Sequence, residues 1–328
     1  MVTESNHRST LDESGHLRSD LWLDQPDAHA RIDTRVEAGV VSADNATLLH
    51  KFVDHGYLAM HIDLDETATG AFDDQIGHLW RERPADQPIS LPGRSGPQSF
   101  AIYEGPERPI GYRLPDVHGF SPNAMALYLH AGIFRMVELI FDQPAIAFQS
   151  LYFEYGSAQA LHRDPWYVIT KPVPHLVAAW IALEDITPDS GPLIYMPGSH
   201  RLPWFQFEED SVELTPKATA AQREEYRHWN QEMLRERLGR VYPERFTCRR
   251  GDVFIWHGGL QHGGAEITNP DKTRKSFVVH YSTAATYRQR TASMAVRDGD
   301  GSRPVKRTTA AIVDAPGARG LDAPMKQH

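Results

Sequence analysis

The sequence predicts a β-sandwich with helical additions ahead of it, and two patterns carry that expectation. From Ala145 onward, AIAFQSLYFEY, HLVAAWIALED, PLIYMPGS, GDVFIWHGG and RKSFVVHYST are short runs rich in β-branched and aromatic residues. Breaks containing Pro, Gly and Asp separate them, as between antiparallel strands of a sandwich or barrel. Upstream, apolar residues recur at helical spacing between capping signals. At 328 residues, with 41% hydrophobic and 23% charged, the chain is an ordinary globular one, long enough to bury a large core.

Residues 1–41 are polar and without sustained periodicity, so they are expected to be a loose arm. Ser42 is an N-cap candidate; Leu48, Leu49, Phe52 and Val53 share one helical face, and Gly56 is a stop. Tyr57–Asp65 reads as a strand and 83–118, rich in Pro, Gly and Arg, mainly as loop. Ser121 followed by Pro122 opens a helix to about Phe141. After the strand runs begin, 219–238 is a charged helix with Tyr226, Trp229, Met233, Leu234 and Leu238 as its stripe and Gly239 as its stop. It is expected to cover the sheet rather than serve as a lid. One domain over 42–283 accounts for these elements, and 284–328, rich in Gly, Ala and Pro, is expected to be a flexible or lightly docked extension.

Thirty-four Lys+Arg against 43 Asp+Glu give a net charge of −9, which argues against a non-specific nucleic-acid binder or a polybasic membrane surface. Cys248, the single cysteine, excludes an internal disulfide framework and a cysteine-rich zinc site. No run reaches the ~18 apolar residues of a membrane span, and the amino-terminal residues lack the apolar core of a signal peptide. The expectation is a cytoplasmic protein acting on a small molecule, with no nucleic-acid or membrane partner and its oligomeric state open.

Among 17 histidines, His-x-Asp triplets carry little information by themselves, and context separates the two present. His61-Ile62-Asp63 stands alone. His162-Arg163-Asp164 follows an aromatic strand and a short turn, and in extended backbone residues two apart point to one side. A hundred residues later, WHGGLQHGG leaves a strand and offers His262, flanked by glycines, as a third ligand, with His257 as the alternative. Two histidines and a carboxylate leave open positions on an octahedral ion, which suits non-haem Fe(II). A hydrolytic zinc site uses the same ligands.

Arg274 follows twelve residues after His262. In a strand it would share a face with Ser276, Val278 and His280, and inside a sandwich it would be a costly unpaired charge unless a dianion met it. Placed in the basic turn Asp271–Lys275, it would instead be exposed.

HRD at 162–164, AWIALEDITPDSGPLIYMPGSHR at 179–201, GDVFIWHGGLQHGG at 251–264 and Arg274 together resemble the phytanoyl-CoA dioxygenase family, from about Ser42 to Thr283. The resemblance implies a double-stranded β-helix (jelly-roll) and an Fe(II)/2-oxoglutarate-dependent dioxygenase that uses O2. It implies His162, Asp164 and His262 on iron, Arg274 on the distal carboxylate of 2-oxoglutarate, and Trp180, Gln149 and Ser276 around the cosubstrate. Tyr167, Trp166 and Trp256 are candidates for the substrate pocket, and no catalytic group beyond the ligands is implied. Gly264 departs from the many relatives with Ser or Thr there, so either another group supplies that contact or the cosubstrate is anchored more weakly. Asp164 is present, where halogenating relatives have a small residue, so the implied reaction is hydroxylation of a C–H bond of an organic metabolite. The rival readings are a zinc hydrolase, a cupin-like isomerase and a non-catalytic 2-oxoglutarate-binding protein.

Overall fold

The strand runs form two sheets laid face to face. In the computed structural model the described residues are 11, 15–16, 19–92, 97–166, 168, 175–207, 219–239, 241–283, 286, 312–315 and 318–321. The larger sheet runs β1 (Tyr57–His61), β9 (Asp252–His257), β6 (Val177–Ala182), β11 (Ser276–Thr283) and β5 (Ala145–Phe153), all antiparallel. The short β4 (Arg113–Pro115) also pairs with β5. A hairpin of β12 (Ile312–Ala315) and β13 (Ala318–Leu321) extends the same edge, β13 lying parallel to β5. The smaller sheet is β10 (His262–Gly264), β7 (Leu193–Tyr195) and β8 (Glu244–Phe246). A two-residue pair, β2 (Pro88–Ile89) with β3 (Gln98–Ser99), stands apart within the loop-rich 83–118. This is the expected jelly-roll.

Alternation along the strands sorts side chains between two cores. Val177, Ala179 and Ile181 of β6, Val253 and Ile255 of β9, and Phe277, Val279 and Tyr281 of β11 pack outward against helices. Ala178, Trp180 and Ala182, with Phe254 and Trp256, face inward and meet Leu193 and Tyr195 of the smaller sheet. On β5 a bulge changes the phase. Gln149 pairs with His280 but Ala147 with Tyr281, leaving Phe148 as the extra residue. Ala147 therefore faces outward like its partner Tyr281, while Gln149 lies opposite inward-facing His280, and Phe153 packs in the inner core.

Five helices cover the outer face: α1 (Ala28–Glu37), α2 (Ala43–His55), α3 (Glu66–Glu82), α4 (Pro122–Tyr128) and α5 (Ala131–Phe141). Ser42 caps α2 by accepting from the Asn45 N–H, and Gly56 ends it at φ 77°, a conformation that suits glycine. Ser121 caps α4 with Pro122 in the first turn. α6 (Ala220–Leu238) has a capping box between Thr219 and Gln222 and ends at Gly239.

Three expectations need correction. Residues 19–41 are not a loose arm: Leu21, Trp22, Leu23, Ala28 and Ile32 are buried in the helical core, and the Trp22 indole N–H donates to the Leu139 carbonyl. The helix expected from Ser121 to Phe141 is two helices broken at Leu129–His130. The strand from Tyr57 ends at His61, and α3 fills 66–82 with Phe72, Ile76, Leu79 and Trp80 inward. Pro122–Phe141 is long and apolar enough, by length and composition only, to cross a membrane. Here Ile133, Phe134, Met136, Val137, Ile140 and Phe141 are buried in the outer core.

Ile32 has no exposed surface, so Ile32→Ala is expected to lower unfolding free energy by about 2–5 kcal/mol in urea titration. A loose arm would give no change.

Candidate metal centre

Two backbone segments a hundred residues apart build the centre. His162 and His262 pair as directly opposed antiparallel residues, the His162 N–H donating to the His262 carbonyl at 2.9 Å and the His262 N–H to the His162 carbonyl at 3.0 Å. Opposed residues put their side chains on one face. Asp164 joins them through a short 3-10 turn, Asp164–Trp166. The three ligand atoms lie within 4.8 Å of one another, all on buried residues, the one such cluster of three found among the described residues.

Hydrogen bonds preset each ligand. His162 Nδ1 lies 2.9 Å from the Ala160 carbonyl and His262 Nδ1 3.0 Å from the Leu260 carbonyl. A carbonyl can only accept, so each Nδ1 carries the proton and each Nε2 lone pair is turned to the common space. His262 Nε2 is 3.4 Å and His162 Nε2 3.9 Å from Asp164 Oδ1. The Trp256 indole N–H donates to Asp164 Oδ2 at 2.7 Å. Burial holds the His162 proton affinity down, to a pKa of about 3, helped by neighbouring His262. Burial alone would raise Asp164, but His262, His280 and His162 outweigh it and hold the carboxylate well below its usual range. Burial would likewise lower His262, yet Asp164 raises it.

Arg274 is 2% exposed, so the exposed-turn alternative does not hold. Its guanidinium carbon lies 5.5 Å from the Trp180 ring centre and 5.6 Å from that of Phe153. Among the described residues its Nε has no hydrogen-bond partner, and burial lowers the group to about 10 despite Cys248 and Glu184 nearby. A cation left so in an apolar wall is the arrangement a carboxylate ligand completes.

The remaining candidates divide. Trp180 and Ser276 face the same interior as Arg274; Gln149 lies across from His280; and the Trp180 Nε1, Ser276 Oγ and Gln149 Oε1 atoms are all buried without partners among the described residues. Trp256 was a substrate-pocket candidate, but at 2% exposure its polar atom is engaged by Asp164. Tyr167 and the Trp166 side chain lie outside the described residues. At Gly264, an added Cβ would overlap Ser157 Oγ, so a hydroxyl from a neighbouring turn already fills the space of a side chain there. His280, which shares the parity of Ser276 on β11, places its Nε2 3.9 Å from Asp164 Oδ2.

His257 is not with the ligands. Its Nδ1 accepts the Gly259 N–H and its Nε2 faces Asp24 at 3.2 Å, beside buried His200. These residues border a separate cavity of about 460 Å³.

The phytanoyl-CoA dioxygenase family model matches residues 115–276. Phytanoyl-CoA dioxygenase domain-containing protein 1 of Mus musculus is 29% identical over 197 residues, 53% of this chain and 61% of that protein. Its Danio rerio counterpart is 26% identical over 151 residues, 43% of this chain and 42% of that one. The chain thus matches less than two thirds of the length of these relatives. Among solved structures, the epimerase SnoN with Fe3+, alpha ketoglutarate and nogalamycin RO superposes with a TM-score of 0.55 at 19% identity, covering 86% of this chain and 99% of that one. The carbocyclase SnoK gives 0.52 at 21%, over 75% and 86%. EctD from S. alaskensis with 2-oxoglutarate and 5-hydroxyectoine gives 0.52 at 19%, over 85% and 83%. At these identities the structural likenesses establish the fold.

Burial, with His257 adding to it, holds His200 at about 3 when folded, against 6.5 for the free group. The unfolded chain then binds more protons between those values, so stability is lost as pH falls below about 6.5. His200→Gln is expected to reduce that loss by up to about 1.4 kcal/mol per pH unit, measured by urea unfolding at successive pH values; an unchanged slope would contradict it.

Proposed function

We propose that this chain, which carries a phytanoyl-CoA dioxygenase domain over residues 115–276, is an Fe(II)/2-oxoglutarate-dependent oxygenase that hydroxylates a C–H bond of a small organic molecule. The observation that carries the reading is the pairing of a buried two-histidine, one-carboxylate cluster with a buried arginine whose Nε has no hydrogen-bond partner among the described residues. A zinc hydrolase would need the first but gives no reason for the second.

In this reading His162, Asp164 and His262 would hold the iron through two Nε2 atoms and a carboxylate oxygen. When bound, Fe(II) supplies oxygen activation coupled to decarboxylation of 2-oxoglutarate, so that substrate, O2 and 2-oxoglutarate become alcohol, succinate and carbon dioxide. Arg274 receives the distal carboxylate of the cosubstrate, where guanidinium makes paired hydrogen bonds. Phe153 and Trp180 wall that cation from water, and Ser276 Oγ and Trp180 Nε1 are buried donors on the same interior face. Trp256 holds Asp164 Oδ2, so the other oxygen is the one offered to the ion. Asp164 is the reason hydroxylation is favoured, since the carboxylate fills the position an exogenous halide would need. The solved epimerase and carbocyclase on this fold show that fold alone does not choose the outcome.

Fe(II)-dependent conversion of 2-oxoglutarate to succinate, with oxygen consumed, tests the reading, and Asp164→Ala is expected to abolish it. Turnover that needs no oxygen and proceeds with zinc would contradict it. Arg274→Ala is expected to weaken 2-oxoglutarate binding at least tenfold by calorimetry while His257→Ala leaves iron content unchanged. Loss of iron in His257→Ala with retention in His262→Ala would overturn the ligand assignment.

A further inference from the structure

The residues next to the ligands in sequence are tied to a common platform outside the barrel. Arg163, between His162 and Asp164, is 2% exposed. Its Nη1 donates to the Pro203 carbonyl at 3.0 Å and its Nη2 to the Ser199 and Leu202 carbonyls at 3.1 and 3.4 Å, while its guanidinium carbon sits 4.4 Å from the Trp204 ring centre. Gln261, immediately before His262, reaches the same strap: its N–H donates to Ser199 Oγ at 2.8 Å.

Gln261 also makes a closed amide pair with α6. Its Nε2 donates to Asn230 Oδ1 at 2.7 Å, and Asn230 Nδ2 donates back to Gln261 Oε1 at 3.1 Å. Asn230 is one of only two buried residues on this nineteen-residue helix, the other being Leu234. A helix that serves only as cover buries an apolar stripe. Here Tyr226, Trp229, Met233 and Leu238 are only partly buried, and a polar residue, Asn230, is buried beside Leu234.

We propose that Asn230 and Arg163 are positioning residues of the metal centre. Asn230 fixes the turn that presents His262 through Gln261, and Arg163 fixes the turn that presents His162 and Asp164 through the 199–204 strap. Both turns are thereby referred to one rigid body. The proposal rests on the iron reading above. It makes α6 a buttress of the ligands, coupled to the site through a hydrogen-bonded amide pair rather than by closing over substrate.

Co(II) is the probe, because its visible bands report coordination geometry whether or not the protein turns over. Asn230→Leu is expected to weaken Co(II) binding about tenfold or more, as loss of outer contacts to ligands does, and to change the band pattern. Trp229→Ala, which loosens α6 against Phe205 without touching the amide pair, is expected to keep wild-type affinity and spectrum at a comparable loss of melting temperature. Asn230→Leu with Gln261→Leu, which leaves neither amide unpaired, is expected to recover stability and not affinity. Arg163→Gln, where it folds, should weaken Co(II) binding further. Wild-type affinity and spectrum in Asn230→Leu would overturn the proposal alone; a wild-type protein that takes up no Co(II) would overturn the iron reading with it.

Discussion

Two backbone hydrogen bonds between His162 and His262 are the constraint on which the rest of the structure depends. They make the two imidazoles directly opposed neighbours, something no single segment of sequence could do. β5 leads into one turn, and β9 and the glycine-flanked segment after it lead into the other. β7 pairs with β10 so that His262 and Gly264 point to the same side as Tyr195 and Leu193. The Nδ1 bonds to the carbonyls two residues earlier then set the tautomers before any ion arrives, so the cost of ordering the ligands is met during folding.

Alternation decides what else can reach that place. The large sheet is mostly apolar on both faces, but three polar residues of β11, Ser276, His280 and Ser282, share one parity, with Gln149 opposite His280 through the β5 bulge. The opposite parity is filled by Phe277, Val279 and Tyr281 against the helices. A buried charge in such a sheet would destabilise it unless something compensates. Aromatic flanks at Phe153 and Trp180 compensate Arg274 in part, and an anionic ligand would complete it.

Much of this was legible in the sequence. The HRD triplet, the glycine-bracketed His262 and the later Arg274 are local patterns, and strand parity makes each a statement about one face. Parity also separates His257 from His262: Phe254 and Trp256 point inward on β9, so His257 must point out, where Asp24 meets it. Residues 19–41 were illegible for a physical reason. Their few apolar residues are spread among charges, and only contact with helices from elsewhere makes Trp22 and Ile32 core. α3 carries its signal openly in Phe72, Ile76, Leu79 and Trp80, at helical spacing. The Trp256–Asp164 and Gln261–Asn230 bonds join residues 92 and 31 positions apart. No periodicity encodes such pairs; they exist only once the barrel has closed.

The central question is whether this cluster and this arginine bind one iron and one 2-oxoglutarate together. Anaerobic titration of the Fe(II)-loaded protein with 2-oxoglutarate, read by the visible metal-to-ligand charge-transfer band of the chelate, measures that without knowledge of the substrate. The expected result is a saturable band that requires His162, Asp164 and His262. Bound iron with no band at any 2-oxoglutarate concentration would contradict it.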